Sequence, residues 1–177
     1  MTNQGLEQQE SRWLAVYTKP RWEKKVSALI SGEGIEAWCP TQKVVRQWSD
    51  RKKTIEEPLF RGYVFVYVTE AERSIVAKTE GVLNFVFHMG KPAVIRKDEI
   101  DAIKNFLKDT SVTNINVQSI STFEANTEIR VVRGVFMDNK GKVIKQASKK
   151  KVYVALETLG QVMIVEFTPQ DIARVTA

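Results

Sequence analysis

Two stretches of this 177-residue chain carry side chains whose types and spacing suit chemistry with a partner. The first runs from Lys43 to Lys53. Lys43, Arg46, Arg51, Lys52 and Lys53 are interrupted by one acid, Asp50, and Trp48 stands among them. Cations neutralise phosphates, and an exposed aromatic ring stacks on a base, so the pattern suits contact with single-stranded nucleic acid. The same residues would also make an ordinary solvated hairpin tip. The second stretch is Leu59 to Val68, the strongest strand signal in the chain, rich in β-branched and aromatic residues. Side chains two apart in a strand share a face. Tyr63, Phe65 and Tyr67 therefore point one way, and Val64, Val66 and Val68 the other. The aliphatic side suits packing under helices, and the aromatic side suits a wet core or a partner.

Catalysis finds no comparable constellation. His88 is the sole histidine and falls in an apolar strand pattern, where a structural role is expected. Cys39, beside Pro40, has no evident activating base and reads as a buried structural thiol. A single cysteine excludes an intrachain disulfide and a multi-cysteine zinc site. The pairs Glu56-Glu57 and Asp98-Glu99 read as surface charge. Phosphate-binding and dinucleotide fingerprints are absent, since Gly32 and Gly34 end a helix. The expectation is a protein with no catalytic residues, no metal site and no cofactor. Net charge of +6 gives a moderate bias toward polyanions. A second basic cluster, Lys140, Lys142, Lys145, Lys149, Lys150 and Lys151, reads equally well as solubilising. The polar N-terminus lacks a signal-peptide core, and no run of about 18 apolar residues exists to span a membrane. A cytoplasmic setting with no membrane partner is expected.

The elements that must position these residues can be read in order. Residues 1–11 form a flexible tail. Trp13 to Tyr17 is a strand with Trp13, Ala15 and Tyr17 on one face and Leu14 and Val16 on the other. Pro20 opens a helix whose stripe is Trp22, Val26, Leu29 and Ile30. Ile35 to Val45, interrupted by Pro40, is one bent strand or two short ones, and residues 36–46 are expected to pair antiparallel with the stretch Thr54 to Val68 around a basic loop or hairpin tip at Arg46 to Lys53. Thr69 and Glu72 make a capping box for a short helix buried through Ile75 and Val76. Val82 to His88 is a strand, and Ile100, Ile103, Phe106 and Leu107 stripe a further helix. The order β-α-β-β-α-β plus a helix predicts a ferredoxin-like α/β sandwich over 12–108, helices on one sheet face and the other face open. Residues 109–122, rich in Ser, Thr and Asn, read as a linker. Short, closely spaced strand signals over 123–177 predict a small β-barrel. The fold class is α+β in two domains.

Arg61-Gly62-Tyr63-Val64-Phe65-Val66 also resembles the main signature of an RNA recognition motif, which would make Tyr63 and Phe65 stacking platforms of a free-standing RNA-binding module. A wider resemblance covers residues 12–175. Trp13-Leu14-Ala15-Val16-Tyr17-Thr18, then Pro20-Arg21-Trp22-Glu23-Lys24-Lys25-Val26, resembles the start of the NusG family of transcription elongation factors. Glu57-Pro58-Leu59-Phe60-Arg61-Gly62-Tyr63-Val64-Phe65-Val66 resembles that family's central strand. Ile129-Arg130-Val131-Val132-Arg133-Gly134-Val135-Phe136 with Gly141-Lys142-Val143 resembles its C-terminal KOW motif, carried on an SH3-like barrel. Arg61 and Val135 stand where the family usually has Pro. The basic stretch 46–53 and the first helix are most similar to the UpxY-type antiterminators of surface-polysaccharide operons in Bacteroides-like bacteria, which are RfaH-related.

This resemblance implies that the N-terminal domain docks on the clamp helices of RNA polymerase and suppresses pausing or termination. Trp13, Tyr17, Phe60, Tyr63 and Phe65 would make the polymerase contact. Lys19, Arg21, Lys24, Lys25, Arg46, Trp48, Arg51, Lys52 and Lys53 would touch upstream or non-template DNA. The KOW barrel would recruit a ribosomal protein or a termination factor.

Overall fold

The aliphatic side of the two strongest strands fixes the first half of the architecture. In the computed structural model, which describes residues 10–109, 112–119, 130–131, 143–145 and 151–167, Leu14 and Val16 lie on β1 (Arg12–Thr18). Val64, Val66 and Val68 lie on β5 (Tyr63–Val68). These five join Val26, Ile30, Ile35, Val76 and Phe85 in one buried cluster. The apolar stripe of α1 (Glu23–Gly32) supplies Val26 and Ile30, and the short α2 (Arg73–Lys78) supplies Val76. Both helices are therefore placed by removing apolar surface from water, worth about 25 cal/mol per Å² buried.

Strands β2 (Glu36–Trp38), β5, β1 and β6 (Val82–Phe85) make a four-stranded sheet in that order, all neighbours antiparallel. This is the expected split β-α-β arrangement. The capping box ahead of α2 forms as read: Thr69 N–H donates to Glu72 Oε2 at 2.8 Å and Glu72 N–H to Thr69 Oγ1 at 3.4 Å. Three local expectations differ. Leu29 and Ile75 are exposed, because short helices over a four-stranded sheet bury only their central stripe. Val82 to His88 is two strands, β6 and β7 (Phe87–His88), with His88 exposed.

Of the two readings of the extended stretch 35–45, the structure has the two short strands. Pro40 separates β2 from a hairpin of its own, β3 (Thr41–Gln47) with β4 (Lys52–Pro58), in register from Thr41↔Pro58 to Gln47↔Lys52. After β5, α2, β6 and β7 come β8 (Lys91–Pro92), paired with β7, and α3 (Lys97–Lys108), opened by Glu99 accepting from Arg96 N–H at 3.0 Å.

The stretch expected to be a linker carries β9 (Val112–Ser119), which pairs along its length with β13 (Gln161–Phe167). Its polar residues are poor strand formers alone, and the long-range ladder supplies what propensity does not. The five-stranded antiparallel sheet runs β10 (Arg130–Val131), β11 (Val143–Lys145), β12 (Lys151–Leu156), β13, β9. Among the described residues no pairing closes it into a barrel. Part of the expected barrel region, most of the KOW-like motif, Lys140, Lys142, Lys149 and Lys150, and tail residues 1–9 lie outside the described residues.

By contacts the chain divides into one unit of Met1–Cys39 with Arg61–Ile95 and a second of Pro40–Phe60 with Arg96–Ala177. Within the second, the Gln42 amide pairs reciprocally with the backbone of Ile115, donating to its carbonyl at 2.8 Å and accepting from its N–H at 3.3 Å. Among the described residues no helix is long and apolar enough to cross a membrane.

Candidate functional site

The sheet face opposite the aliphatic cluster is built by register. Trp13 lies across from Tyr67, Ala15 across from Phe65 and Tyr17 across from Tyr63, while Trp38 of β2 flanks Phe65 on the other side. The rings pair accordingly. Trp13 and Tyr67 are 5.3 Å apart between centroids, Tyr17 and Tyr63 5.1 Å, and Trp38 and Phe65 5.8 Å, all tilted. Such contacts add about 0.5–1.5 kcal/mol each beyond area burial, so the rings are held before any partner arrives.

Exposure separates these rings into two classes. Tyr17 is 39% exposed and Tyr67 38%, and Trp13 and Tyr63 are half-buried. Phe65 is fully buried at 0%. It sits mid-strand between two neighbouring strands, opposite the small Ala15, with Trp38 alongside. Phe65 therefore offers no ring face to a partner helix or to a base, which corrects both the polymerase-contact and the RNA-stacking expectation for it. Phe60 is likewise corrected: it is 2% exposed and lies outside β5, packed rather than presented. Tyr67, outside the expected contact set although it shares parity with Tyr63, is left partly exposed on the same face.

The turn that aims Tyr63 is fixed from the helix side. Gly62 adopts φ +80°, a left-handed conformation that glycine tolerates best. Its N–H donates to Glu23 Oε1 at 2.8 Å, and its carbonyl accepts from Thr18 N–H at 2.9 Å. Glu23 is 4% exposed, a carboxylate buried at the first turn of α1. No local pattern signals this bond, because the partner is far along the chain. Cys39 lies nearby, and burial, followed by the Glu23 charge, pushes its thiol up to about 11, with Lys24 opposing. The thiol stays protonated at neutral pH, as expected for a structural cysteine. Removing the Glu23 carboxyl leaves the Gly62 N–H without its acceptor. Glu23→Ala is expected to cost about 1–3 kcal/mol in urea unfolding. Glu23→Gln, which keeps an acceptor oxygen, should recover most of that loss.

The cationic candidates fall into two groups. Lys19, Arg21, Lys24 and Lys25 are exposed around the half-buried Trp22 at the start of α1. Arg46, Trp48, Arg51, Lys52 and Lys53 are exposed on the β3–β4 hairpin. Trp48 is 58% exposed at the tip, where its N–H donates to Arg51 O at 2.8 Å. Arg46 grips Glu57 through contacts of 2.7 and 2.9 Å, so its exposed guanidinium is already engaged by a carboxylate. Among the described residues no group of three or more His, Cys, Asp or Glu side chains is arranged to hold a metal ion.

A family model described as "Transcription termination factor nusG" matches residues 11–104, just over half of the chain. The transcription termination/antitermination protein NusG of Streptococcus pyogenes serotype M1 is 25% identical over 186 residues, covering 95% of this chain and 98% of that protein. The protein of the same name from Chlamydia trachomatis serovar D is 28% identical over 143 residues, covering 75% and 76%. Among solved structures, one described as "Domain interaction in Thermotoga maritima NusG" is 18% identical with a TM-score of 0.46, covering 94% of this chain and 97% of that one.

Proposed function

The chain belongs to the NusG family, and on that premise we propose that it is a transcription elongation and antitermination factor with no chemistry of its own. The first unit docks its aromatic sheet face on the clamp helices of RNA polymerase. The observation that carries this reading is the exposure pattern: Trp13, Tyr17, Tyr63 and Tyr67 are paired, pre-positioned rings left partly open on a face where no helix of their own unit is needed to complete the aliphatic core. Aromatic side chains with polar tips are the groups that dominate binding hot spots, and their ring pairing lowers the ordering cost on association.

Docked there, the protein favours the elongating polymerase over pausing and termination. Lys19, Arg21, Lys24, Lys25, Arg51, Lys52 and Lys53, with Trp48, contact upstream or non-template DNA. The KOW-type domain extends over 123–177, supplies four strands of the C-terminal sheet and recruits a ribosomal protein or a termination factor. The basic hairpin supports assignment to the UpxY type, acting on surface-polysaccharide operons.

The test is capture of an isolated polymerase clamp-helix fragment by the full chain. Tyr17→Ala with Tyr63→Ala is expected to weaken capture about 10–30-fold while the circular dichroism spectrum is unchanged. Undiminished capture by a folded double variant, or tight single-stranded RNA binding with no capture at all, overturns the reading.

A further inference from the structure

Trp22 belongs to neither expected contact set, yet the structure builds the basic loop of the first unit around it. Lys19 N–H donates to Gly81 O at 2.9 Å, and Trp22 N–H donates back to Lys19 O at 3.1 Å, closing the loop on itself. Between them Arg21 adopts φ +65°, one of two described non-glycine residues with positive φ. Such a conformation is held only where the surroundings impose it. The indole of Trp22 follows directly. It packs against the apolar cluster and covers Gly81, where a Cβ would lie 2.5 Å from its Cε3. Over the ring sit two ammonium groups, Lys25 Nζ at 3.9 Å and Lys19 Nζ at 5.1 Å from a ring centroid.

Both distances lie within cation–π range. The ring's negative face offsets part of the repulsion between two like charges held together, and it removes rotamer freedom from two long side chains. The result is a pair of cations placed in advance, with a third, Arg21, displayed beside them. Glu23, the adjacent acid, is turned inward onto Gly62 and does not neutralise them. Clustered, pre-ordered cations without a carboxylate fork match a run of phosphodiesters.

We infer that Trp22 is the positioning residue of a phosphodiester-binding site made by Lys19, Arg21 and Lys25, which takes the sugar–phosphate backbone of duplex DNA. The inference rests on the DNA contact proposed above and adds what orders it. Because the phosphates are read as charge, the site contributes affinity and salt dependence but no sequence preference.

The experiment is fluorescence anisotropy of the full chain with a short labelled DNA duplex at several salt concentrations. Lys19→Gln with Lys25→Gln is expected to reduce the slope of log affinity against log salt by about 1–2. Trp22→Leu removes no positive charge and keeps an apolar side chain over Gly81. It is expected to weaken binding about 3–10-fold at low salt and to lower the slope in the same direction. Wild-type affinity and slope in Trp22→Leu, with loss in the double lysine variant, overturn the role of Trp22 while the DNA contact stands. If the double lysine variant binds like the wild type, the DNA contact itself fails at this loop. Should Trp22→Leu not fold, Trp22→Phe decides: intermediate affinity supports the ring's role, and unchanged affinity overturns it.

Discussion

Phe65→Ala is expected to lose about 3–5 kcal/mol of stability, a large part of the roughly 5–15 kcal/mol that holds a domain together. The ring is fully buried in an interior strand, with Ala15 across one ladder and Trp38 across the other. Neither neighbour can refill the space. Ala15 is too small, and Trp38 is tied to its own strand by the pairing of β2 with β5. Truncation therefore leaves a cavity in addition to the lost transfer energy. A urea titration of the full chain measures the effect, with Tyr63→Ala as the contrast. Tyr63 is one strand period away but half-buried, so its truncation should shift the midpoint far less while removing partner capture. If Phe65→Ala keeps the wild-type midpoint and loses only capture, Phe65 is a contact residue after all and the burial argument is wrong.

That contrast also marks what the sequence could and could not reveal. Period-two alternation is a local property, so the aliphatic set Leu14, Val16, Val64, Val66 and Val68 was legible, and it is the cluster observed. Depth within the opposite face was not. Tyr63, Phe65 and Tyr67 share parity, yet only register decides that Phe65 meets Ala15 while its neighbours meet Tyr17 and Trp13. Register is set by residues about fifty positions apart. Glu23 was illegible for the same reason: a glutamate in a first helical turn is ordinarily a surface charge, and nothing nearby announces the Gly62 N–H it accepts from. The strand at Val112–Ser119 escaped because its Thr and Asn residues argue for a linker, and only its ladder with Gln161–Phe167 makes it a strand. Arg46 illustrates the electrostatic version. Its charge was visible, but the Glu57 carboxylate that engages it lies on the returning strand of the hairpin.

Gly81→Ala should cost about 2–5 kcal/mol, through two effects that a single methyl group brings together. The residue is buried with φ +90°, a conformation that an L side chain resists. The added Cβ would also stand 2.5 Å from Trp22 Cε3 and 2.8 Å from Val26 Cγ2, closer than real carbon contacts come. Neither neighbour can yield cheaply. Val26 is fully buried in the cluster on α1, and the indole is pressed on that cluster from inside and flanked by Lys19 and Lys25 from outside. The strain must then move either the loop at 19–22 or the backbone at Gly81, and the Lys19 N–H to Gly81 O bond ties the two movements together. Two readouts follow from one variant: a lower urea midpoint, and a reduced salt slope for duplex binding because the ring no longer holds its cations. A Gly81→Ala protein with the wild-type midpoint would mean that the indole slides freely, and a ring that slides cannot be what orders Lys19 and Lys25.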